Sequence, residues 1–293
     1  MPKEENVTVN RKYKDSVFRL LFAESKENAL SLYNAVNKTN YTNAEELVFV
    51  NLEDAFYINI KNDAAFVFSK NLTLYEHQST MNKNMPLRGL FYFDAMYRGM
   101  VDVASLYSDK MIKIPTPQFV VFYNGRERTV EDVVKLKLSD MFEVPTKDGE
   151  FEWTATMINI NYGHNAELTE CCKSLNGYAI LIEKIRTYHD EYVEMMPYEE
   201  AQRQAVKRAV EECIGEGILK EFLMKHRKEV VELSMFEFSE EEYQKLYIDT
   251  GRSKERMDAI HRMIDRGFTE EQILMLYSEE EYEKANAEML KPV

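Results

Sequence analysis

Residues 61–79 read KNDAAFVFSKNLTLYEHQS. Two runs rich in Ala, Phe, Val, Leu and Tyr, 64–68 and 72–78, flank the polar pair Lys70-Asn71, the pattern of two strands joined by a turn. Side chains alternate along a strand, so Leu72, Leu74, Glu76 and Gln78 share one face and His77 points to the other. That face is apolar where it begins and polar where it ends. If Asp63 opens the preceding antiparallel strand, the turn brings it opposite the Glu76 end, and two carboxylates converge at one edge of a sheet.

Upstream, Val17, Phe18, Leu20, Leu21, Leu30, Leu32, Tyr33 and Val36 recur at helical spacing behind Asp15-Ser16, both good N-caps, which predicts one helix over 16–37. Short strands are expected at Leu47–Asn51 with Phe56–Ile60, completing an antiparallel meander. Downstream, Pro86 suits the first turn of a helix whose apolar face runs from Leu90 to about Ser108. The apolar run Gln118–Tyr123, bounded by Pro117 and Asn124-Gly125, reads as a strand buried on both faces after a crossover helix. A further strand over Trp153–Ile160 and a helix capped by Asn165 close this body. The expected fold class is α/β, with an α-β-β-β-α-β core, a mixed central sheet flanked by helices, and an all-helical C-terminal tail.

The chain has 293 residues, 45% of them apolar, and a formal charge of −14. Residues 190–293 hold 15 Lys+Arg against 26 Asp+Glu, so most of the acidity lies there. Composition therefore divides the chain into a nearly neutral body, 1–190, and an acidic helical tail, 191–293. In the tail, capping-box patterns stand at Ser239/Glu242, Thr269/Gln272 and Ser278/Glu281, and Ser-Glu-Glu-Glu-Tyr occurs at both 239–243 and 278–282. Residues 253–276 invite a helix-turn-helix reading, but the second helix opens on acidic Glu270-Glu271 where a recognition helix should meet the groove, which favours an interaction or packing role. The tail is the candidate surface for a homo-oligomer. No run approaches the roughly 18 apolar residues of a membrane span, and the start MPKEENVTVN lacks a secretory apolar core, so a cytoplasmic protein without membrane contact is expected. Cys171, Cys172 and Cys213 form no disulfide framework or C-x-x-C pair and read as buried small hydrophobes. The five histidines have no zinc-ligand spacing.

Convergent carboxylates with few other ligands suit Mg²⁺ or Mn²⁺, cations that keep several waters and complete their shell with a substrate phosphate. The expected chemistry is metal-assisted hydrolysis, with Asp63 and Glu76 as ligands and Gln78 orienting the water or the phosphate. The negative net charge excludes a protein coated bulk-wise by nucleic acid but leaves a local basic rim open.

An Asp followed on the next strand by Glu-x-Gln inside α-β-β-β-α-β resembles the PD-(D/E)XK nuclease superfamily, with Gln in place of its usual Lys. Asp15-Ser16-Val17-Phe18-Arg19 with Leu21-Phe22, Asn62-Asp63, Leu74-Tyr75-Glu76-His77-Gln78-Ser79, Asn84-Met85-Pro86-Leu87-Arg88, Tyr123-Asn124-Gly125, and Asn159, Ile160, Asn161, Gly163 and Asn165 look like the Rpn family of recombination-promoting nucleases and transposases. The likeness covers residues 10–190. It implies a restriction-endonuclease-like fold, a DNA endonuclease activity, Asp63, Glu76 and Gln78 in the nuclease roles, and Asp15 as an added carboxylate. DNA would meet a basic rim of Lys12, Lys14, Lys83 and Arg88. The rival reading is a catalytically inactive nuclease-fold protein acting as an interaction module through its helical tail, in which Glu76 is salt-bridged or separated from Asp63.

Overall fold

The computed structural model describes residues 17–50, 64–127, 130–147, 150–234 and 259–264, with positions 269, 273, 277 and 282. The chain forms two compact units, 1–237 and 238–293.

The first unit is built on a six-stranded mixed sheet in the order β1-β2-β3-β4-β6-β5. Its strands are β1 (Val48–Phe49), β2 (Ala64–Phe68), β3 (Asn71–Gln78), β4 (Thr116–Tyr123), β5 (Val133–Lys137) and β6 (Thr154–Asn159). β2 and β3 form the hairpin expected from residues 61–79, but the turn is Ser69-Lys70 and Asn71 already pairs with Phe68. Both turn residues have positive φ, 47° and 64°, the twist that a two-residue hairpin demands. β3 and β4 run parallel, joined by the crossover helix α3 (Met85–Met100). β4 also pairs in parallel with β6, so five of its eight residues are buried, as its continuous apolar run requires. The edge strand β5, VVKLK, was not expected: its alternating exposed and half-buried residues carry too little hydrophobic signal.

The expected helix over 16–37 is two helices, α1 (Val17–Phe22) and α2 (Lys26–Asn37). Ser25 breaks it by turning extended and accepting the Asn28 N–H at 3.2 Å. The helix beginning at Pro86 stops at Met100, and a 3₁₀ turn over Val103–Tyr107 follows, capped by Asp102 accepting from Ala104 N–H. The helix predicted after Asn165 is likewise two, α4 (Ala166–Cys171) and α5 (Lys173–Tyr192), parted at extended Cys172. Asn165 does not cap α4 with its side chain. Its amide donates instead to the carbonyls of Asp132 and Asn159, both at 2.8 Å.

Helices cover both sheet faces. α3 lies on the face of Leu72, Leu74, Phe119, Val121 and Met157, where Phe93 meets Trp153 with ring centroids 4.9 Å apart. On the other face Phe18 of α1 and Tyr178 of α5 pack with Phe122 and His77. Burial of these side chains contributes on the order of 1.5–3 kcal/mol each. α6 (Tyr198–Glu216) continues α5's seam, burying Ala201, Ala205, Val206, Ala209, Val210 and Cys213, and a further helix covers 220–234. This packing carries the first compact unit past residue 190, where charge composition alone drew its line, to Glu237. In the second unit Ile260 and Ile273 are buried, with Met263, Ile264, Tyr277 and Tyr282 packed against them. Phe56–Ile60 and the paired Ser-Glu-Glu-Glu-Tyr segments, apart from Tyr282, lie outside the described residues.

Candidate functional site

Glu76 and Gln78 occupy the carboxyl end of β3, opposite Val121 and Tyr123 of β4. The strand's alternation sends both toward α3, and Gln78 Nε2 lies 3.4 Å from Glu76 Oε1. In an open sheet with parallel neighbours, ligands collect beyond the carboxyl ends of the strands, where helices such as α3 begin. The sequence thus places a carboxylate and a carboxamide together on one face at a favoured end of the sheet.

Glu76 is only 3% exposed, and burying an ionised carboxylate requires a compensating partner. Arg88, on the first turn of α3, supplies it: Nη2 stands 2.5 Å from Glu76 Oε1 and 2.9 Å from Tyr92 Oη. The Tyr92 hydroxyl in turn faces the same carboxylate oxygen at 3.4 Å. Arg88 and Tyr92 reach one carboxylate because they stand four residues apart on one helix face. The tie to Tyr92 was not foreseen, although Arg-x-x-x-Tyr spacing on a predicted helix was a usable signal. Arg88, expected on a basic rim, pairs with the buried carboxylate instead. Lys83 is exposed in the loop after β3. Arg98 holds both oxygens of Asp94 at 2.9 Å on the exposed face of α3, about 15 Å along the helix from Arg88.

His77 faces away from this cluster. Its ring stacks on Phe18 at 5.2 Å, and its Nε2 lies 3.0 Å from the Tyr178 hydroxyl. Loss of water around the ring, and then the charge of Arg186, bring its pKa down to about 3, so it is a neutral packing residue at neutral pH.

A second cluster braces the ends of β3, β4 and β6. Arg186 of α5, 8% exposed, donates through Nη1 to Asn124 Oδ1 and Asn161 Oδ1, both at 2.9 Å, and through Nη2 to the Asn124 carbonyl. Asn124 N–H donates to the Gln78 carbonyl at 2.9 Å, and Asn161 Nδ2 to the Gly125 carbonyl at 3.0 Å. Asn159 Nδ2 donates to the Val130 carbonyl at 3.1 Å. Asn124, Asn159 and Asn161, three of the residues behind the family resemblance, are therefore bracing groups at the ends of β4 and β6, and Asn124 ties Gln78's strand end to its neighbour. Arg186 was not singled out from sequence: an arginine inside a helix pattern gives no sign that its partners stand 62 and 25 residues away.

Asp63, Asp15, Lys12 and Lys14 lie outside the described residues, so the expected Asp63–Glu76 convergence is not described. β2 is described from Ala64, which pairs with Tyr75, the residue before Glu76. Among the described residues no three of His, Cys, Asp and Glu gather into a metal-holding group, and no helix is long and apolar enough to cross a membrane. No protein-family model, no curated protein and no solved structure matches the chain.

Proposed function

We propose that the chain is a divalent-metal-dependent DNA endonuclease with a restriction-endonuclease-like core, of the kind its resemblance to the Rpn family implies, working in recombination, mobile-element biology or defence. The observation that carries this reading is a buried carboxylate, Glu76, at the carboxyl end of a central strand, with Gln78 on its face and cationic Arg88 directly on it.

These residues fit part of a Mg²⁺ or Mn²⁺ site. Glu76 supplies one carboxylate, already paired with Arg88, and Gln78 can offer its carboxamide oxygen by an amide flip, since the oxygen and nitrogen are assigned from their surroundings. Glu76 with Asp63 would hold the cation, which when bound supplies an acidified water and charge neutralisation at the phosphate. Gln78 would orient that water or a phosphate oxygen, and the bracing by Arg186, Asn124 and Asn161 would keep it aligned. Arg88 supplies positive charge at the site and Lys83 is exposed in the loop that follows β3, the local counterweight that an acidic chain needs to meet DNA. Replacement of Lys by Gln removes a charge next to the water and should lower the rate rather than abolish it.

The test is plasmid nicking with Mg²⁺ by the wild type, Asp63→Ala and Glu76→Gln. Metal-dependent cleavage by the wild type, abolished by EDTA and by either substitution, supports the reading. No cleavage at any salt concentration, or equal cleavage by the variants, overturns it.

A second reading, a non-cleaving nuclease-fold interaction module, draws support from the Arg88–Glu76 ion pair itself, which consumes the carboxylate in a structural contact. It expects full-length protein to bind partners through its tail and to bind no Mn²⁺.

A further inference from the structure

Residues 101–115, which return the chain from α3 to β4, are ordered yet keep their large apolar side chains in water. Tyr97 Oη donates to the Pro115 carbonyl at 2.7 Å, and Thr116 N–H to the Lys70 carbonyl at 2.9 Å, which pins the return to the end of α3 and to the β2–β3 turn. Within the excursion Asp102 caps the 3₁₀ turn, and Ser108 Oγ accepts the Lys110 N–H at 3.3 Å. Helices already cover both sheet faces. Tyr107 is 89% exposed, Met111 80% and Leu106 61%, and Ile114 and Met100 are exposed as well. Large side chains present about 150–250 Å² each when fully exposed, so these five leave on the order of 600 Å² uncovered, the upper end for the largest apolar patch of a monomer. A stable interface takes about 800 Å² from each partner, a size that the polar residues of the same excursion complete.

Charge selects the occupant. Asp102 and Asp109 stand against Lys110 and Lys113, so the excursion is neutral, on a chain of formal charge −14. Nucleic acid and anionic lipid both call for a basic patch and do not fit. A surface of mixed sign fits a copy of itself, because a two-fold axis sets each residue i against a residue j and j against i. Residues 109–113 read Asp-Lys-Met-Ile-Lys, with Asp109 two places before Met111 and Lys113 two places after it. When two copies cross antiparallel about an axis at Met111, Asp109 of each meets Lys113 of the other. Among the described residues no ion pair or side-chain hydrogen bond engages Asp109, Lys110 or Lys113, and all three are exposed.

We propose that residues 101–115 form the interface of a two-fold homodimer, with Tyr107, Met111 and Ile114 at its centre and reciprocal Asp109–Lys113 pairs at its rim. The excursion is already held by its own turn and its pinned return, so pairing costs it little conformational freedom. It runs into Thr116, which pairs with Asn71 at the opposite end of β3 from Glu76 and Gln78, so dimerisation leaves that end of the sheet open. The inference stands apart from the nuclease reading and holds equally for a cleaving and a non-cleaving protein.

Sedimentation of the full chain between about 1 and 100 μM reads the monomer–dimer equilibrium for wild type, Met111→Glu, Asp109→Lys and Lys113→Asp. The wild type should dimerise reversibly, and Met111→Glu should stay monomeric. Each charge variant alone sets like charges in both rim pairs and should dimerise about tenfold more weakly. An equimolar mixture of Asp109→Lys and Lys113→Asp sets opposite charges in both pairs again and should recover a dimer within about threefold of wild type. Recovery in the mixture also shows that neither variant is merely damaged, so the test stands even if Met111→Glu fails to fold. A wild type that stays monomeric at the highest concentration overturns the proposal. So does a dimer indifferent to a folded Met111→Glu, which would move self-association elsewhere, such as residues 191–293. A mixture no tighter than its two components overturns it as well, and a monomeric wild type that sediments with phosphatidylserine vesicles would give the excursion to lipid instead.

Discussion

Gly125 sits where β4 leaves the sheet, and replacing it should test the bracing of the site more directly than any polar change. An alanine Cβ there would lie 2.2 Å from the Ser79 carbonyl oxygen, 2.4 Å from Tyr123 Oη and 2.6 Å from Tyr123 Cζ. Ser79 follows Gln78, whose carbonyl accepts the Asn124 N–H, and the Gly125 carbonyl accepts from Asn161. Both jaws of the contact are therefore tied down, and the nearest clash is with backbone. Overpacking costs about 1–3 kcal/mol, and the rigid surroundings put this case at the upper end, about 3 kcal/mol. Gly99 is the control: nothing stands within 4 Å of its would-be Cβ, and it lies in the last turn of α3. Alanine there should gain about 0.5 kcal/mol by restricting the unfolded chain. Urea unfolding followed by fluorescence reads the sheet, because the chain's one tryptophan, Trp153, packs on Phe93. Extrapolated stabilities should then differ by about 3.5 kcal/mol between the two variants. In melts Gly125→Ala should fall by about 6–12 °C and Gly99→Ala rise by about 1–2 °C. A Gly125→Ala stability within about 0.5 kcal/mol of wild type would refute the claim that the ends of β3 and β4 are rigidly braced.

Two further outcomes are expected. Arg186→Met strips donors from Asn124 Oδ1, the Asn124 carbonyl and Asn161 Oδ1, and should cost about 3–5 kcal/mol as those buried acceptors go unmet; a loss below about 1 kcal/mol in the same unfolding assay would show the cluster to be ornamental. Cysteine labelling at pH 8 should modify Cys171, which is exposed, long before Cys172 and Cys213, because burial pushes the Cys172 thiol up and that of Cys213 to about 11; uniform rates across the three would contradict the packing of α5 on α6.

Elements with strong local periodicity were legible. β3, α3 and β4 emerge from alternation, a Pro-led helix and a doubly buried apolar run, and the face shared by Glu76 and Gln78 follows from strand geometry alone. Helix interruptions at Ser25 and Cys172 were not, because an apolar stripe of period 3.6 can continue through a break when the next helix resumes on the same side. Asn165 looked like a cap, yet its amide found carbonyls at Asp132 and Asn159 that become neighbours only after β5 and β6 pair. The cysteines divide for the same reason: Cys171 and Cys172 are adjacent in the chain but face water and core respectively.

The amino-acid sequence by itself determines which face of β3 carries the carboxylate and the carboxamide, because period-two alternation is a property of one strand's backbone and needs no partner. It likewise determines that the acidity lies in the last third. What compensates the charge of Glu76 is decided only in three dimensions: Arg88 and Tyr92 lie 12 and 16 residues away, and the α3 crossover brings them over β3. The same holds for Arg186, which braces β4 and β6 from a helix on the opposite face. A buried charge has no local preference for one cation over another, so that Arg88 is the group to meet it depends on what the packed sheet and helix bring within reach.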